Sequence, residues 1–459
     1  MSFFATDLEK FGSRTALLAP DGLSLSYREL AARCDQLACR FRNRRQLLVV
    51  ETRNDFDSII AYLAALRQEM PVMLLDAALN PQLKAQILDR YQPELLWQKT
   101  GPSYELIRRQ AVANEPNPKL ALLLSTSGST GSPKAVRLSA DNIHSNAMSI
   151  SHYLSLHESE TAITLLPLHY SYGLSILNSH LAVGAQIVVQ QHSVVDKNFW
   201  QLMHTHEVTS LSGVPFVYET LRKLRFSTMQ LPHLRTLTQA GGRLAPGLVE
   251  EFAQLSRQRN WQFFVMYGQT EASARISYLS PELVLSKPSS IGKAIPGGTL
   301  FLQDENSQEI RQPEIAGELV YSGGNVMLGY AEKRADLLRG DELQGVLKTG
   351  DIARYDQDGD FYIVGRKKRF IKLFGQRFSL DEVENRLRQN GVAAACCGHD
   401  DLLQVYVEGT CNPADLRKTL AEDYRIYSRA IQVIPVAQLP KTSSGKVDYR
   451  ELSGEVANG

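Results

Sequence analysis

From Ala16 to about Ile310 the chain alternates short aliphatic runs with longer amphipathic ones, and this pattern most restricts how it can fold. LLVV at 47–50 leads to SIIAYLAALRQ at 58–68 and then to VMLL at 72–75. AITLLPL, SILNSHLAVG and AQIVVQ repeat the pattern at 162–190, and LVEEFAQLSRQ with QFFVMYG repeats it at 248–268. Continuous apolar strands must be covered on both faces, and the intervening helices supply that cover, so the run predicts βαβ units and layered, largely parallel sheet. After Gly317 the texture becomes strands with tight turns, as in GELVYSGG and ARYDQDGDFYIVGR, which predicts a small β-barrel. From about Phe370, SLDEVENRLRQ and PADLRKTLAEDY flank LLQVYVEG, the makings of a small α+β domain. The 459 residues exceed one small module at about 100 to 200 residues per domain. The basic run Arg366–Arg369 separates the two textures. The expected division is therefore a large domain at 1–367, containing two α/β subdomains and the barrel, and a small one at 368–459.

Charge and composition exclude several function classes. Lys and Arg total 50 against 49 Asp and Glu, a net charge of +1, so no global field draws in nucleic acid or anionic lipid, and neither partner is expected. The longest apolar stretch of its kind, Ile59–Leu66, ends at Arg67 and falls short of the ~20 residues that span a bilayer. The amino terminus MSFFATDLEKFGSR carries acidic residues where a secretory signal needs an apolar core, so a cytoplasmic location is expected. Five cysteines, at 34, 39, 396, 397 and 411, form no C-x-x-C pair. Neither a disulfide framework nor a zinc site is expected.

The segment with the clearest chemistry is LLLSTSGSTGSPKAV at 122–136. An apolar strand runs into a loop in which Gly128 and Gly131 let backbone N–H groups turn inward. Ser125, Thr126, Ser127, Ser129 and Thr130 add hydroxyl donors, and Lys134 adds a positive charge. This is the chemistry of a phosphate cradle. It is not a P-loop of the G-x-x-x-x-G-K-[ST] type, because Pro133 precedes Lys134 and Ala135 follows it. Further along, the carboxylate of Glu271 suits a divalent cation on phosphate oxygens, although Thr270-Glu271 also reads as a helix start. Asp351, after Thr-Gly, suits a bidentate contact to two ribose hydroxyls, with an Asx-turn as the alternative. DQDGD at 356–360 fails as a calcium loop, since the first and twelfth positions hold Arg354 and Gly365, and reads as a hairpin turn.

Leu122–Val136 resembles the phosphate loop of the adenylate-forming enzymes, the superfamily of acyl-CoA synthetases, nonribosomal adenylation domains and luciferases, and it is closest to the acyl- and aryl-acid ligases. Four further motifs follow in the family's order: YGQTE at 267–271, GELVYSGGNVMLGY at 317–330, KTGDIARYDQDGDFYIVGRKKRFIK at 348–372 and PKTSSGKVDYREL at 440–452. The resemblance extends from LSYREL at 25–30 to near the carboxy terminus. It implies ATP and Mg²⁺ as cofactors, with Thr130 and Glu271 on the metal. Tyr267 covers the adenine face, with Gly268 and Thr270 beside it. Asp351 and Arg366 contact the ribose and phosphate region, and Ala240, Gly241 and Gly242 allow close backbone approach. Lys446 becomes the catalytic lysine of a mobile carboxy-terminal domain that hinges at Lys368. Gly375, Gln376 and Arg377 resemble the segment lining the pantetheine tunnel.

The implied activity is ATP-dependent conversion of a carboxylic acid to an acyl-adenylate with loss of pyrophosphate, then transfer to a thiol, with CoA as the leading acceptor. A carrier protein's phosphopantetheine arm or an amine remain alternative acceptors, and a catalytically silent nucleotide-binding relative is the alternative outside enzymes. Departures from the pattern refine the reading. Ala135 replaces the usual Gly after Pro-Lys, and Tyr170 stands where related ligases place a gating His. That leaves His169 open between gate and core histidine. Tyr170–Ile176 contains no Asp to pair a substrate ammonium, which argues against amino acids. Tyr170, Tyr172, Gly173, Phe216 and Ala240 are the candidate lining for an aryl or short to medium acyl carboxylate.

Overall fold

In the computed structural model the described residues are 3–41, 44–110, 112, 114–125, 134–373, 376–399, 402–424, 426–441 and 447–453. The chain divides into two compact units. One comprises 1–126, 132–300 and 321–347, and the other 127–131, 301–320 and 348–459.

The alternation read from the sequence becomes two large mixed sheets in the first unit. One has seven strands in the order 329–331, 135–139, 120–125, 72–76, 48–52, 95–100 and 103–108. Its central strands are parallel and its edges antiparallel. The other has nine strands in the order 293–294, 277–279, 262–267, 236–239, 210–213, 161–163, 186–188, 15–18 and 24–26. Leu48–Thr52, Phe56–Arg67 and Val72–Asp76 form a βαβ unit where the three consecutive runs predict one. Ile59 to Leu66 are all buried in that helix. At about 0.8 kcal/mol per buried CH₂, such a helix is held by packing more than by propensity. Ser139 caps the helix Ala140–Tyr153 in a reciprocal box with Asn142. Among the described residues no helix is long and apolar enough to cross a membrane.

The second unit carries a five-stranded sheet in the order 309–310, 298–303, 317–323, 346–355 and 361–366. Its two edges are not paired with each other, so the expected barrel is an open sheet. Closure needs edge strands long enough to pair around the ring, and Glu309–Ile310 offers two residues. The DQDGD segment is the hairpin turn between its last two strands. Gly359 has φ +79° there, and Asp356 Oδ1 accepts from the amides of Asp358 and Asp360. The carboxy-terminal portion packs helices Leu380–Gln389 and Pro413–Tyr424 with a three-stranded sheet, 394–399, 402–408 and 431–436, around Val383, Leu387, Cys396, Val405 and Leu420.

One cation ties the 328–342 segment to the seven-stranded sheet. Arg137, on the strand Ala135–Ser139, is fully buried. Its guanidinium donates to the carbonyls of Leu328, Tyr330, Arg339 and Gly340 at 2.5 to 3.2 Å and to Glu342 Oε2 at 2.7 Å. Gly329 has φ +130°, and a Cβ there would strike both Glu342 Oε2 and Arg137 Nη2. Arg137→Leu leaves several buried carbonyls without a donor at about 1–3 kcal/mol each. Denaturant unfolding of that variant is expected to show a loss of at least about 3 kcal/mol, and a loss below about 1 kcal/mol would show that the cage contributes little.

Candidate active site

Ser125 ends the strand Leu120–Ser125 and pairs with Ala135, the first residue of the neighbouring strand. The loop between them therefore leaves and rejoins the sheet at adjacent positions. Thr126, Ser127, Gly128, Ser129, Thr130 and Gly131 lie outside the described residues, as do Gly375 and Lys446. At the return of the loop Lys134 Nζ stands 3.4 Å from the centroid of the Tyr330 ring. The Tyr330 hydroxyl in turn donates to Glu271 Oε1 at 2.8 Å. Burial, and then the Glu271 carboxylate, push the Tyr330 pKa up, so the phenol stays protonated and remains the donor.

Glu271 belongs to the short 3₁₀ turn Thr270–Ala272 that follows the strand Gln262–Tyr267. Its backbone carbonyl accepts from the amide of Met327 at 2.9 Å, so the YGQTE motif is sewn to the segment ending in Tyr330. Thr270 does not act as a cap. Its hydroxyl pairs with that of Ser171 at 3.2 Å, and Gln269 occupies the cap position. Tyr267 is half-buried against the core, and a Cβ on Gly268 would strike the Ala274 carbonyl.

The residues expected to line the acid pocket fall into two groups. Tyr170 precedes the helix Ser171–Ala182, Tyr172 lies within it, and their rings meet edge to face at 6.3 Å. Gly241 has φ +82°, and the Tyr170 hydroxyl occupies the space a Cβ there would take. Ala240 is buried and Gly242 abuts Pro215. Gly173 packs on the Pro167 carbonyl. Burial pushes the Tyr170 pKa up to about 12. Phe216, which follows Pro215 in the helix Pro215–Lys223, is 58 % exposed.

In the second unit Asp351 is buried within the strand Val346–Tyr355 rather than in an Asx-turn, with Oδ1 3.2 Å from Arg366 Nε. Lys368 is in the 3₁₀ turn Lys367–Arg369. Gln376 and Arg377 open a strand paired with Phe370–Leu373. Next to Lys368, Arg369 bridges Asp381 and Glu384 and stacks over Tyr449 at 3.9 Å, while the Tyr449 hydroxyl donates to Glu384 Oε2 at 3.0 Å. One ionic cluster thus joins the basic run to the segment that carries the lysine motif.

The sequence pattern does not reveal the parts played by Arg137 and Tyr330. Arg137 sits in an alternating strand, where an arginine reads as solvent-facing, and Tyr330 closes its motif as a tyrosine whose type alone announces no chemistry. His169 is mostly buried, with Nδ1 3.4 Å from the Thr52 hydroxyl and Nε2 3.9 Å from Asp76 Oδ2. Burial lowers its pKa, and the Asp76 carboxylate partly opposes that. A depressed histidine pKa withdraws stability as pH falls through the ordinary imidazole range near about 6.5. Asp76→Asn removes the opposing charge, so the His169 midpoint followed by NMR is expected to fall further. An unchanged or higher midpoint would show that Asp76 does not reach the ring.

The profile of the family described as AMP-binding enzyme matches residues 4–331. The chain is 26 % identical over 343 residues to a 2-succinylbenzoate--CoA ligase of Listeria monocytogenes, covering 73 % of this chain and 70 % of that one. It is also 27 % identical over 492 residues to tyrocidine synthase 2 of Brevibacillus parabrevis, covering 97 % of this chain and 13 % of that protein. The o-succinylbenzoate CoA synthetase of Bacillus subtilis, solved with its acyl-adenylate intermediate, shares the fold with a TM-score of 0.81 and 22 % identity, covering 98 % of both chains.

Proposed function

Because the chain belongs to the AMP-binding enzyme family, we propose that it is an AMP-forming acid–thiol ligase that activates an aryl or short to medium acyl carboxylate and transfers it to CoA. The carboxylate attacks the α-phosphorus of ATP, expelling pyrophosphate. The thiol then attacks the acyl carbon, giving the thioester and AMP. The observation that carries this reading is the joining of three motifs at one place: Lys134 at the return of the Ser/Gly loop, Glu271 of YGQTE, and Tyr330 between them.

The donor set suits Mg²⁺. Glu271 Oε1 is held by Tyr330, and among the described residues no hydrogen bond ties down Oε2, a hard oxygen of the kind this ion takes. When bound with the nucleotide, the ion neutralises phosphate charge, and Thr130 is the second residue assigned to it. The hydroxyls and glycines from Ser125 to Gly131 cradle the phosphates, with Lys134 beside them. Asp351 takes the ribose hydroxyls and Arg366 the nearby phosphate. Tyr267, Gly268, Thr270, Gly241 and Gly242 hold the adenine side, while Tyr170, Tyr172, Gly173, Ala240 and Phe216 serve the acid. Lys446 neutralises charge that accumulates on the α-phosphate oxygens. The domain 368–459 turns at Lys368 between half-reactions, exchanging Lys446 for the thiol-guiding Gly375-Gln376-Arg377. We place the reaction in the cytoplasm. The match to a peptide synthetase over nearly the whole chain keeps a carrier protein's phosphopantetheine arm as the second acceptor.

Acid-dependent exchange of labelled pyrophosphate into ATP, followed by thioester assay with CoA and with a holo carrier protein, tests the reading. Exchange is expected with carboxylic acids lacking an α-amino group, and fastest exchange with proteinogenic amino acids would contradict it. Lys446→Ala is expected to lower adenylation by about 10²- to 10³-fold while ATP still binds. Near-normal exchange in that variant would reduce Lys446 to a solvated charge. Lys368→Pro fixes φ near about −65° and is expected to separate the half-reactions. Acyl-adenylate burst formation should persist while steady-state thioester production collapses; equal loss of both would indicate general misfolding, and normal thioester output would show that the chain does not rotate or hinges elsewhere.

A further inference from the structure

Both ends of the short helix that follows the lysine motif are fastened. Lys441 and Val447 form an antiparallel bridge, and the Asp448 amide donates to the Pro440 carbonyl at 2.8 Å. The helix Tyr449–Ser453 follows at once, and five residues are too few to hold a helix in water without tertiary contacts. At its far end the Tyr406 hydroxyl donates to the Leu452 carbonyl at 2.7 Å. At its near end the anchor is the half-buried side chain of Tyr449. Its ring lies 3.9 Å from the Arg369 guanidinium, and its hydroxyl donates to Glu384 Oε2 at 3.0 Å. Burial, and then the Glu384 carboxylate, push the Tyr449 pKa up, so the phenol remains the donor.

Arg369 does not depend on this tyrosine for charge balance. It pairs with both Asp381 and Glu384, and Glu384 also accepts from the Cys396 amide. What Tyr449 adds is a tie between that cluster and the chain three residues beyond Lys446. The stack fixes the ring against the guanidinium and the hydrogen bond fixes its rotation, so together they set the backbone next to the Lys441–Val447 bridge. We propose that Tyr449 is a positioning residue of the acid-activating half-reaction, holding the base of the segment that carries Lys446. This inference rests on the acid-activating function proposed above. An ammonium that neutralises charge on phosphate oxygens acts at contact distance, and a misplacement of about 1 Å in such a group costs on the order of 10²-fold in rate. Loss of Tyr449 leaves Arg369 with both carboxylates, so the strand Gln376–Ser379 and the helix Leu380–Gln389 keep their ties. The thiol-dependent half-reaction, which does not use Lys446, is then spared.

Pyrophosphate exchange with the acid that supports the fastest wild-type rate reads the first half-reaction. Thioester formation from the synthetic acyl-adenylate of that acid and CoA reads the second alone. Tyr449→Phe keeps the stack and loses the hydrogen bond, and Tyr449→Leu loses both. The exchange kcat is expected to fall about 10-fold in the first variant and about 10²-fold in the second. KM for ATP and the second half-reaction are expected to stay within about 2-fold of wild type. In a Lys446→Ala background Tyr449→Leu is expected to cost nothing further, because only a lysine that is present can be misplaced. Unchanged exchange in Tyr449→Leu, equal loss in both half-reactions, or losses that add in the double variant would overturn the proposal. Should Tyr449→Leu not fold, Tyr449→Phe decides by the same comparisons. Wild-type exchange that needs Lys446 but is indifferent to Tyr449 defeats this inference and leaves the proposed function standing, whereas exchange with no carboxylic acid defeats both.

Discussion

The candidate site depends on how one buried cation is compensated. Arg137 reaches the carbonyls of a returning segment and the carboxylate of Glu342, all from a strand that begins where the Ser/Gly loop ends. These acceptors around one planar donor fix the path of residues 328–342, and Gly329 is needed because the backbone passes against the ion pair itself. That path delivers Tyr330 to Glu271 and Lys134. The arrangement is costly to desolvate and stable only when every donor is used. The site's geometry is therefore as rigid as the cage behind it.

Much of the fold could be read from the sequence because its signals are local. The run Ile59–Leu66 could only be a covered helix, the flanking aliphatic runs could only be buried strands, and DQDGD carried its own turn chemistry. The open sheet was not legible in the same way. Alternating strands report that a sheet exists, but whether its edges meet depends on the length of an edge strand, here Glu309–Ile310, which has almost no hydrophobic pattern of its own. The site divides along similar lines. Motif residues such as Glu271 and Asp351 stand out because the segments that hold them resemble motifs of the family. Arg137 does not, since an isolated arginine among alternating residues looks solvated, and only tertiary packing shows that it is sealed inside.

The ionic cluster of Arg369, Asp381, Glu384 and Tyr449 performs in the second unit a task comparable to that of Arg137 in the first. Glu384 is buried, which raises its pKa despite Arg369, and it accepts from the Tyr449 hydroxyl and from the Cys396 amide at 2.6 Å. The basic run at the start of this portion and the helix after the lysine motif are thus held to one carboxylate. A short bridge between Lys441 and Val447 sets the two residues that flank 442–446 side by side.

The contact between Gly241 and Tyr170 has an evolutionary consequence. Any side chain at 241 must displace the tyrosine hydroxyl, and a smaller residue at 170 opens space that glycine alone cannot fill. The two positions are therefore not free to drift separately. A lineage that altered position 241 would pass through a strained or hollow intermediate unless both residues changed together. The packing at this contact is thus inherited as a pair, and the fitness effect of either substitution depends on the residue already present at the other.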